Sequence, residues 1–140
     1  MNRLTTITHA LSDPTRIRLL AACLDRERCV CQLVELIDLS NASISKHLAM
    51  LKAGGLLESR REGRWVHYRT PPSPTPIVRD AIAFVRSYAM RTQQIVQDAE
   101  RLAKIDAFDP CDLARMQREG CCCVPHSTIP HPHLDEHTYQ

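Results

Sequence analysis

Aromatic side chains are scarce in this sequence and make up 4% of its 140 residues. A low aromatic content with many Leu, Ile and Ala residues favours a helical protein over a β-sandwich. No run approaches the roughly 18 consecutive apolar residues of a membrane span, and the N-terminus has no signal-peptide pattern. These absences predict one mainly α-helical domain in the cytoplasm, with no membrane-spanning segment.

The motifs of common enzyme classes are also missing. The chain has no Cys-x-x-Cys redox motif, no phosphate-cradling glycine loop and no cofactor fingerprint. A thiol oxidoreductase or a metalloid reductase is the enzyme alternative, and these absences argue against it. We therefore predict that the protein is not an enzyme.

Positive charge is concentrated in the first half of the chain. The formal net charge is only +2, yet residues 1–70 hold 11 Lys/Arg against 7 Asp/Glu, and residues 41–70 hold six of these cations. Such an asymmetry indicates contact with a polyanion on one part of the surface.

Cysteine, in contrast, is abundant, with seven residues. An odd number of thiols without a leader sequence argues against a secreted disulfide framework. In a reducing compartment, clustered thiols more often bind metals or carry out redox chemistry. The seven are Cys23, Cys29, Cys31, Cys111, Cys121, Cys122 and Cys123.

Hydrophobic spacing predicts a helix-turn-helix motif near the middle of the chain. Two leading helices are predicted over 3–11 and 14–25, the second with Asp13 as N-cap and Pro14 at its first position. A short helix over 30–37 and a helix over 41–53, capped by Ser40, are joined by a tight turn. The glycine after Ala53 is the usual residue beyond a helix C-terminus.

A β-hairpin and one long helix complete the predicted domain. Residues 56–62 and 64–70 alternate around Gly63 and predict a hairpin. After a proline-rich connector, apolar residues spaced three or four apart predict a single helix over 77–104, available to pack against a second copy of the chain. This gives a winged helix-turn-helix domain over 1–104 and a flexible Cys-, His- and Pro-rich tail over 105–140.

This order of elements predicts binding to double-stranded DNA. The second helix of the motif would enter the major groove, and the hairpin would hold the flanking phosphates. The candidate DNA-binding residues are Asn41, Ser43, Ser45, Lys46 and His47 on the helix, and Arg60, Arg61, Arg64, His67 and Arg69 on the hairpin.

Residues 10–70 resemble the ArsR/SmtB family of metal-responsive winged-helix repressors. The matching segments are ALSDPTRIRLL from Ala10, CVCQL from Cys29, SISKHL from Ser43, LKAGGL from Leu51 and RREGRWVHYR from Arg60. The resemblance implies a homodimer held by its first and last helices. It also implies operator binding in the unliganded state and release when a metal or metalloid binds.

The Cys29-Val30-Cys31 segment resembles the arsenic-sensing branch, in which such a run binds trivalent arsenic or antimony. That branch often has a third cysteine where this chain has Val34. The Asp/His pattern of the zinc-sensing branch is missing as well, because Ile82 stands two places after Asp80. Arsenite or antimonite is therefore the predicted inducer, with cadmium, lead or an oxidant as alternatives.

Soft, thiophilic ions need two or three converging cysteines. A helix N-terminus at Cys31 and the neighbouring Arg28 both favour thiolates. Residues two apart in a regular helix point about 200° apart, so we expect Cys29 and Cys31 to bind one ion only if the first turn unwinds. That unwinding would disturb the helix supporting the recognition helix.

The third ligand stays open at this stage. The predicted set of metal ligands is Cys29, Cys31, Cys121, Cys122 and Cys123, since an extended chain of about 17 residues reaches roughly 55 Å. A DNA-binding module that senses nothing is a further alternative, and it predicts DNA affinity indifferent to thiophilic ligands.

Overall fold

The computed structural model describes residues 2–109 and residue 113. Within this part of the chain, helices dominate and a small antiparallel sheet is attached to them, as the sequence predicts. In chain order the elements are α1 (Asn2–Ala10), α2 (Pro14–Ala22), β1 (Arg28–Cys29), α3 (Val30–Ile37), α4 (Asn41–Ala53), β2 (Glu58–Glu62), β3 (Trp65–Arg69), α5 (Pro76–Ala89) and α6 (Gln93–Asp106).

The helix-turn-helix pair α3–α4 has the predicted bounds, and capping residues delimit α4. The Ser40 hydroxyl accepts a hydrogen bond from the Ser43 backbone N–H at 3.1 Å and caps α4,. Gly55 beyond the C-terminus has a φ of 77°, a left-handed conformation that glycine adopts without strain,. The predicted Asp13 cap of α2 is also present, with the Thr15 N–H donating to its carboxylate at 2.7 Å.

The wing has one more strand than the sequence indicates. β2 and β3 pair around Gly63, whose φ is 62°, and form the predicted hairpin. The two-residue strand β1 pairs with the other edge of β3, so that the sheet order is β1-β3-β2. A strand this short has no readable alternation, which is why the sequence pattern missed it.

The single helix predicted over 77–104 is wrong: the structure has two helices separated at residues 90–92. The Thr92 hydroxyl accepts from the Ile95 N–H at 3.4 Å and starts α6 as its N-cap. The apolar spacing of three and four continues across the break, and neither glycine nor proline marks it. α6 turns back to pack on α2 and α3. The apolar residues in this second half of the predicted helix therefore belong to the protein's own core.

The core lies between these helices and the base of the wing. Its fully buried leucines come from α2, α3, α4 and the segment leading into β2: Leu19, Leu20, Leu33, Leu36, Leu48, Leu51, Leu56 and Leu57. Leu113 joins the same cluster from beyond α6. None of the described helices combines the length and the apolar composition needed to cross a membrane.

Candidate thiol centre and DNA-binding surface

The thiols of Cys29 and Cys31 lie side by side at the junction of β1 and α3. Cys29 precedes the helix in an extended conformation, with φ −75° and ψ 148°. Cys31 lies in the first helical turn, and the two Sγ atoms are 3.0 Å apart. The expectation that the first turn must unwind is therefore wrong, because the 200° argument holds only when both residues are helical. Both side chains are buried, at 3% and 0% exposure, and their sulfur atoms are in direct contact.

A chain of hydrogen bonds connects this junction to the end of α6. The Gln32 Oε1 accepts from the Cys29 backbone N–H at 2.9 Å, and the Gln32 Nε2 lies 3.4 Å from an Asp106 carboxylate oxygen. Arg28 is buried, and its guanidinium forms an ion pair with the same carboxylate. The positive charge of Arg28 is thus matched by Asp106, 78 residues away in sequence.

A second ion pair fixes α6 against α2. The carboxylate of Asp98, which is 5% exposed, accepts from Arg18 Nε at 2.8 Å and Nη2 at 2.9 Å. Gln94 donates to Asp98 as well, at 3.0 Å. Two parallel charged hydrogen bonds fix distance and orientation together, so this pair fixes the position of α6 on α2.

Cys23 lies at the end of α2 and is not part of the thiol centre. Burial raises the pKa of its thiol to about 12, because an apolar environment disfavours the charged thiolate. This thiol is protonated at neutral pH and serves as a small apolar core residue, in agreement with its position on the apolar side of α2.

The predicted tail ligands lie outside the described residues. These are Cys121, Cys122 and Cys123, and Cys111 and the tail histidines lie outside them too. Within residues 2–109 and 113, no group of three or more Cys, His, Asp or Glu side chains is arranged to hold a metal ion. The described part of the thiol centre consists of the two sulfur atoms of Cys29 and Cys31.

The predicted DNA contacts on α4 differ in how accessible they are. Ser45 and Lys46 are exposed on the outer face of the helix. Ser43 is engaged at the helix start, where its hydroxyl accepts from Ser40 at 3.0 Å. The His47 Nδ1 accepts from the buried Arg16 at 3.3 Å. Asn41 is half-buried at the first position of the helix.

Two of the predicted arginines on the wing are held by carboxylates. Arg60 donates to both oxygens of Glu27 at 2.8 and 2.7 Å, and Arg69 donates to Glu58 at 2.9 Å. His67 stacks on Trp65 with a centroid distance of 6.1 Å. Arg61 lies exposed on β2, whereas Arg64, in the turn, is half-buried.

Several residues that shape the site escaped sequence reasoning. Gln32 stands three residues after Cys29, the spacing of a capping box, so its contact was readable in principle. The contacts of Glu27, Asp98 and Asp106 could not be predicted from the sequence, because their partners lie between 33 and 80 residues away.

A helix-turn-helix pair and a three-stranded wing, with Lys46 exposed on the second helix of the pair, together define a winged helix-turn-helix DNA-binding protein,. Residues 13–59 match the family model described as "Bacterial regulatory protein, arsR family". The "Arsenic resistance transcriptional regulator ArsR2" of Pseudomonas putida is 36% identical over 116 residues, which is 81% of this chain and 92% of that protein. The chain belongs to the ArsR family of transcriptional regulators.

Two further comparisons agree with this assignment. The "Arsenical resistance operon repressor" of Escherichia coli is 44% identical over 63 residues, 44% of this chain and 54% of that protein. The homodimeric winged helix-turn-helix DNA-binding domain Mb0332 of Mycobacterium bovis superposes with a TM-score of 0.54 and 28% identity, covering 64% of this chain and 80% of that one. The family consists of DNA-binding regulators rather than enzymes.

Proposed function

We propose that this protein represses transcription from an operator and releases the DNA when Cys29 and Cys31 capture trivalent arsenic or antimony. The observation that supports it is the 3.0 Å separation of the two Sγ atoms at the start of α3. Two adjacent soft sulfur donors suit a thiophilic ion better than a hard one. The names of the Pseudomonas and Escherichia relatives point to the same inducer class.

The DNA-binding state is a homodimer in this proposal. The first and penultimate helices expose large apolar side chains: Leu4 at 45%, Phe84 at 59% and Tyr88 at 59%. The rings of Phe84 and Tyr88 lie 4.9 Å apart and form one apolar surface. A two-fold dimer would place two copies of α4 in successive major grooves of an imperfect inverted repeat. Because the proposed operator lies on the chromosome, the dimer would act in the cytoplasm.

Cys121, Cys122 and Cys123 are the candidates for a third thiolate ligand. The chain leaves α6 at Asp106, whose carboxylate contacts Gln32 beside the thiol centre. The last described helix therefore ends beside the thiol centre. A triple substitution of these cysteines should lower the affinity for arsenite, and Cys29 and Cys31 should still bind the ion.

Fluorescence anisotropy of the reduced protein on its own upstream DNA tests the inducer. The DNA dissociation constant is measured with arsenite, antimonite, cadmium and lead added separately at constant salt. We expect arsenite and antimonite to weaken DNA binding at least about tenfold, within the usual range of allosteric coupling. If only cadmium or lead weakens DNA binding, that ion is the inducer in place of arsenite. A DNA dissociation constant unchanged by all four ions would contradict metal sensing.

The same sulfur pair favours one second candidate, an oxidant sensor. Peroxide would oxidise the thiols of Cys29 and Cys31 to a disulfide: two protons and two electrons pass to the peroxide, which leaves as two water molecules. Mass spectrometry would show a loss of two hydrogens from the peptide spanning 28–32 together with DNA release. Peroxide-driven release without response to any of the ions would favour this candidate.

A further inference from the structure

The thiol centre and the wing share a strand. Cys29 is the second residue of β1 and lies opposite His67 of β3. Across the next pair of strands, His67 lies opposite Arg60 of β2. Cys29, His67 and Arg60 therefore form one row across the sheet. A ligand that displaces Cys29 acts on an edge strand of the wing itself.

A charged contact reinforces this connection. Glu27, two residues before Cys29, accepts from Arg60 Nε at 2.8 Å and from Arg60 Nη2 at 2.7 Å. The Glu27 carboxylate also lies 3.9 Å from the Nδ1 atom of His67. Its side chain is 26% exposed, so the contact is partly shielded from solvent. The segment that carries the first thiol thus holds an arginine on the far strand of the wing.

We infer that Glu27 is the positioning residue through which occupancy of the thiol centre changes the DNA contacts of the wing. The inference rests on the proposed function, because it needs a ligand at Cys29 and Cys31. A two-point charged contact between carboxylate and guanidinium depends strongly on orientation. The two sulfur atoms are already 3.0 Å apart, so an ion bound between them moves Cys29 away from Cys31. The extended segment 27–29 then shifts, and Arg60 is turned away from the position that suits the phosphate backbone.

A route through the recognition helix is the competing path, since α3 carries Cys31 and precedes α4. The two paths make different predictions for Glu27. If coupling passes through α3 and α4, removing the Glu27 charge leaves the response to the ion unchanged. If coupling passes through the wing, removing the Glu27 charge reduces the effect of the ion on DNA binding and leaves the affinity for the ion unchanged.

The wing supplies a matched control in Glu58. Glu58 binds Arg69 at similar distances, 2.9 Å to Nε and 2.8 Å to Nη2, although a single carboxylate oxygen makes both contacts. It joins β2 to β3, whereas Glu27 joins β2 to the segment carrying Cys29. Glu27→Gln and Glu58→Gln each remove one negative charge from the wing, so both should tighten DNA binding slightly in the absence of ion.

The experiment measures the DNA dissociation constant with and without saturating sodium arsenite for the wild type and both variants. We expect Glu58→Gln to keep the wild-type ratio of the two constants and Glu27→Gln to lower that ratio at least about fivefold. Calorimetric titration of the DNA-free proteins should give the same arsenite affinity for all three. Glu27→Asp, whose shorter side chain reaches one guanidinium nitrogen at best, should give an intermediate ratio.

A wild-type ratio retained in Glu27→Gln would overturn the inference and favour the α3–α4 path. Equal loss in Glu27→Gln and Glu58→Gln would also overturn it, since the effect would then come from wing charge alone. A wild-type ratio of one with arsenite and with antimonite would instead contradict the proposed function. The two failures are therefore distinguishable.

Discussion

Arg18 and Asp98, 80 residues apart in sequence, meet in a two-point ion pair between α2 and α6, with Asp98 almost fully buried. Asp98→Asn leaves a partly buried guanidinium without its counter-charge. We expect the free energy of unfolding to fall by about 3 kcal/mol, as for other broken buried pairs. Urea denaturation followed by circular dichroism measures this change.

Asp25→Asn is the matched control. Asp25 pairs with Arg86 between the α2–β1 segment and α5, but its side chain is 73% exposed. Solvent-exposed pairs contribute less than about 1 kcal/mol, so this variant should unfold close to the wild-type midpoint. If both variants lose the same free energy of unfolding, burial does not make the Arg18–Asp98 pair more stabilising than the exposed pair.

The Glu27–Arg60 contact predicts a pH dependence of stability. Hydrogen bonding from Arg60 holds the pKa of Glu27 below its ordinary value of 4.5, although burial acts in the opposite direction. Because the folded-state pKa is depressed, the stabilisation is complete above about pH 4.5 and is lost as the pH falls through the folded-state pKa,. The difference in urea midpoint between wild type and Glu27→Gln should be constant from about pH 7 to 5 and shrink below 4.5. A difference unchanged down to about pH 3 would contradict the contact.

Lys46 predicts a measurable electrostatic contribution to DNA binding. It is exposed on α4, and a phosphate contact by this lysine in each copy of a dimer would release about two counterions. Lys46→Ala should weaken binding to all sequences and reduce the slope of log K against log salt by about 2. Lys104→Ala removes an exposed charge from α6 and should leave the slope unchanged. An unchanged slope in Lys46→Ala would place the phosphate contacts elsewhere.

The exposed ring pair on α5 predicts the dimer interface. Phe84→Ala with Tyr88→Ala removes two aromatic side chains that are each 59% exposed in one chain. Clustered aromatic residues dominate interface energies, so the dimer dissociation constant should rise at least about tenfold. Sedimentation velocity compares this variant with Val96→Ala, a substitution at a 48% exposed apolar residue on α6. A dimer lost equally in both variants would contradict the assignment to α5.

Local signals in the sequence predicted the DNA-binding half of the fold well. Ser40 and the glycines after Ala53 delimit α4 correctly, since capping residues act within one turn of the helix end. The break at Thr92 was missed because a threonine N-cap resembles any other helical threonine when the apolar spacing continues through it. Only tertiary packing of α6 on α2 and α3 distinguishes the two cases.

The sequence indicates that Cys29 and Cys31 are neighbouring thiols, but it does not indicate their geometry. The Cys29-Val30-Cys31 pattern identifies two sulfur donors, whereas their separation depends on whether Cys29 belongs to the helix. Pairing with His67 keeps Cys29 in an extended conformation, and no local sequence pattern predicts a strand of two residues. The contacts of Asp98, Asp106 and Glu27 depend on the same long-range packing.

In the proposed function, Cys29 and Cys31 together couple ion capture to DNA release. The most direct measurement compares arsenite-driven loss of DNA anisotropy in wild type, Cys29→Ala, Cys31→Ala and Cys23→Ala. We expect all four proteins to bind the operator, Cys23→Ala to release it like the wild type, and neither of the other two variants to release it. Arsenite-driven release by the Cys29→Ala or Cys31→Ala protein at the wild-type concentration would contradict the claim.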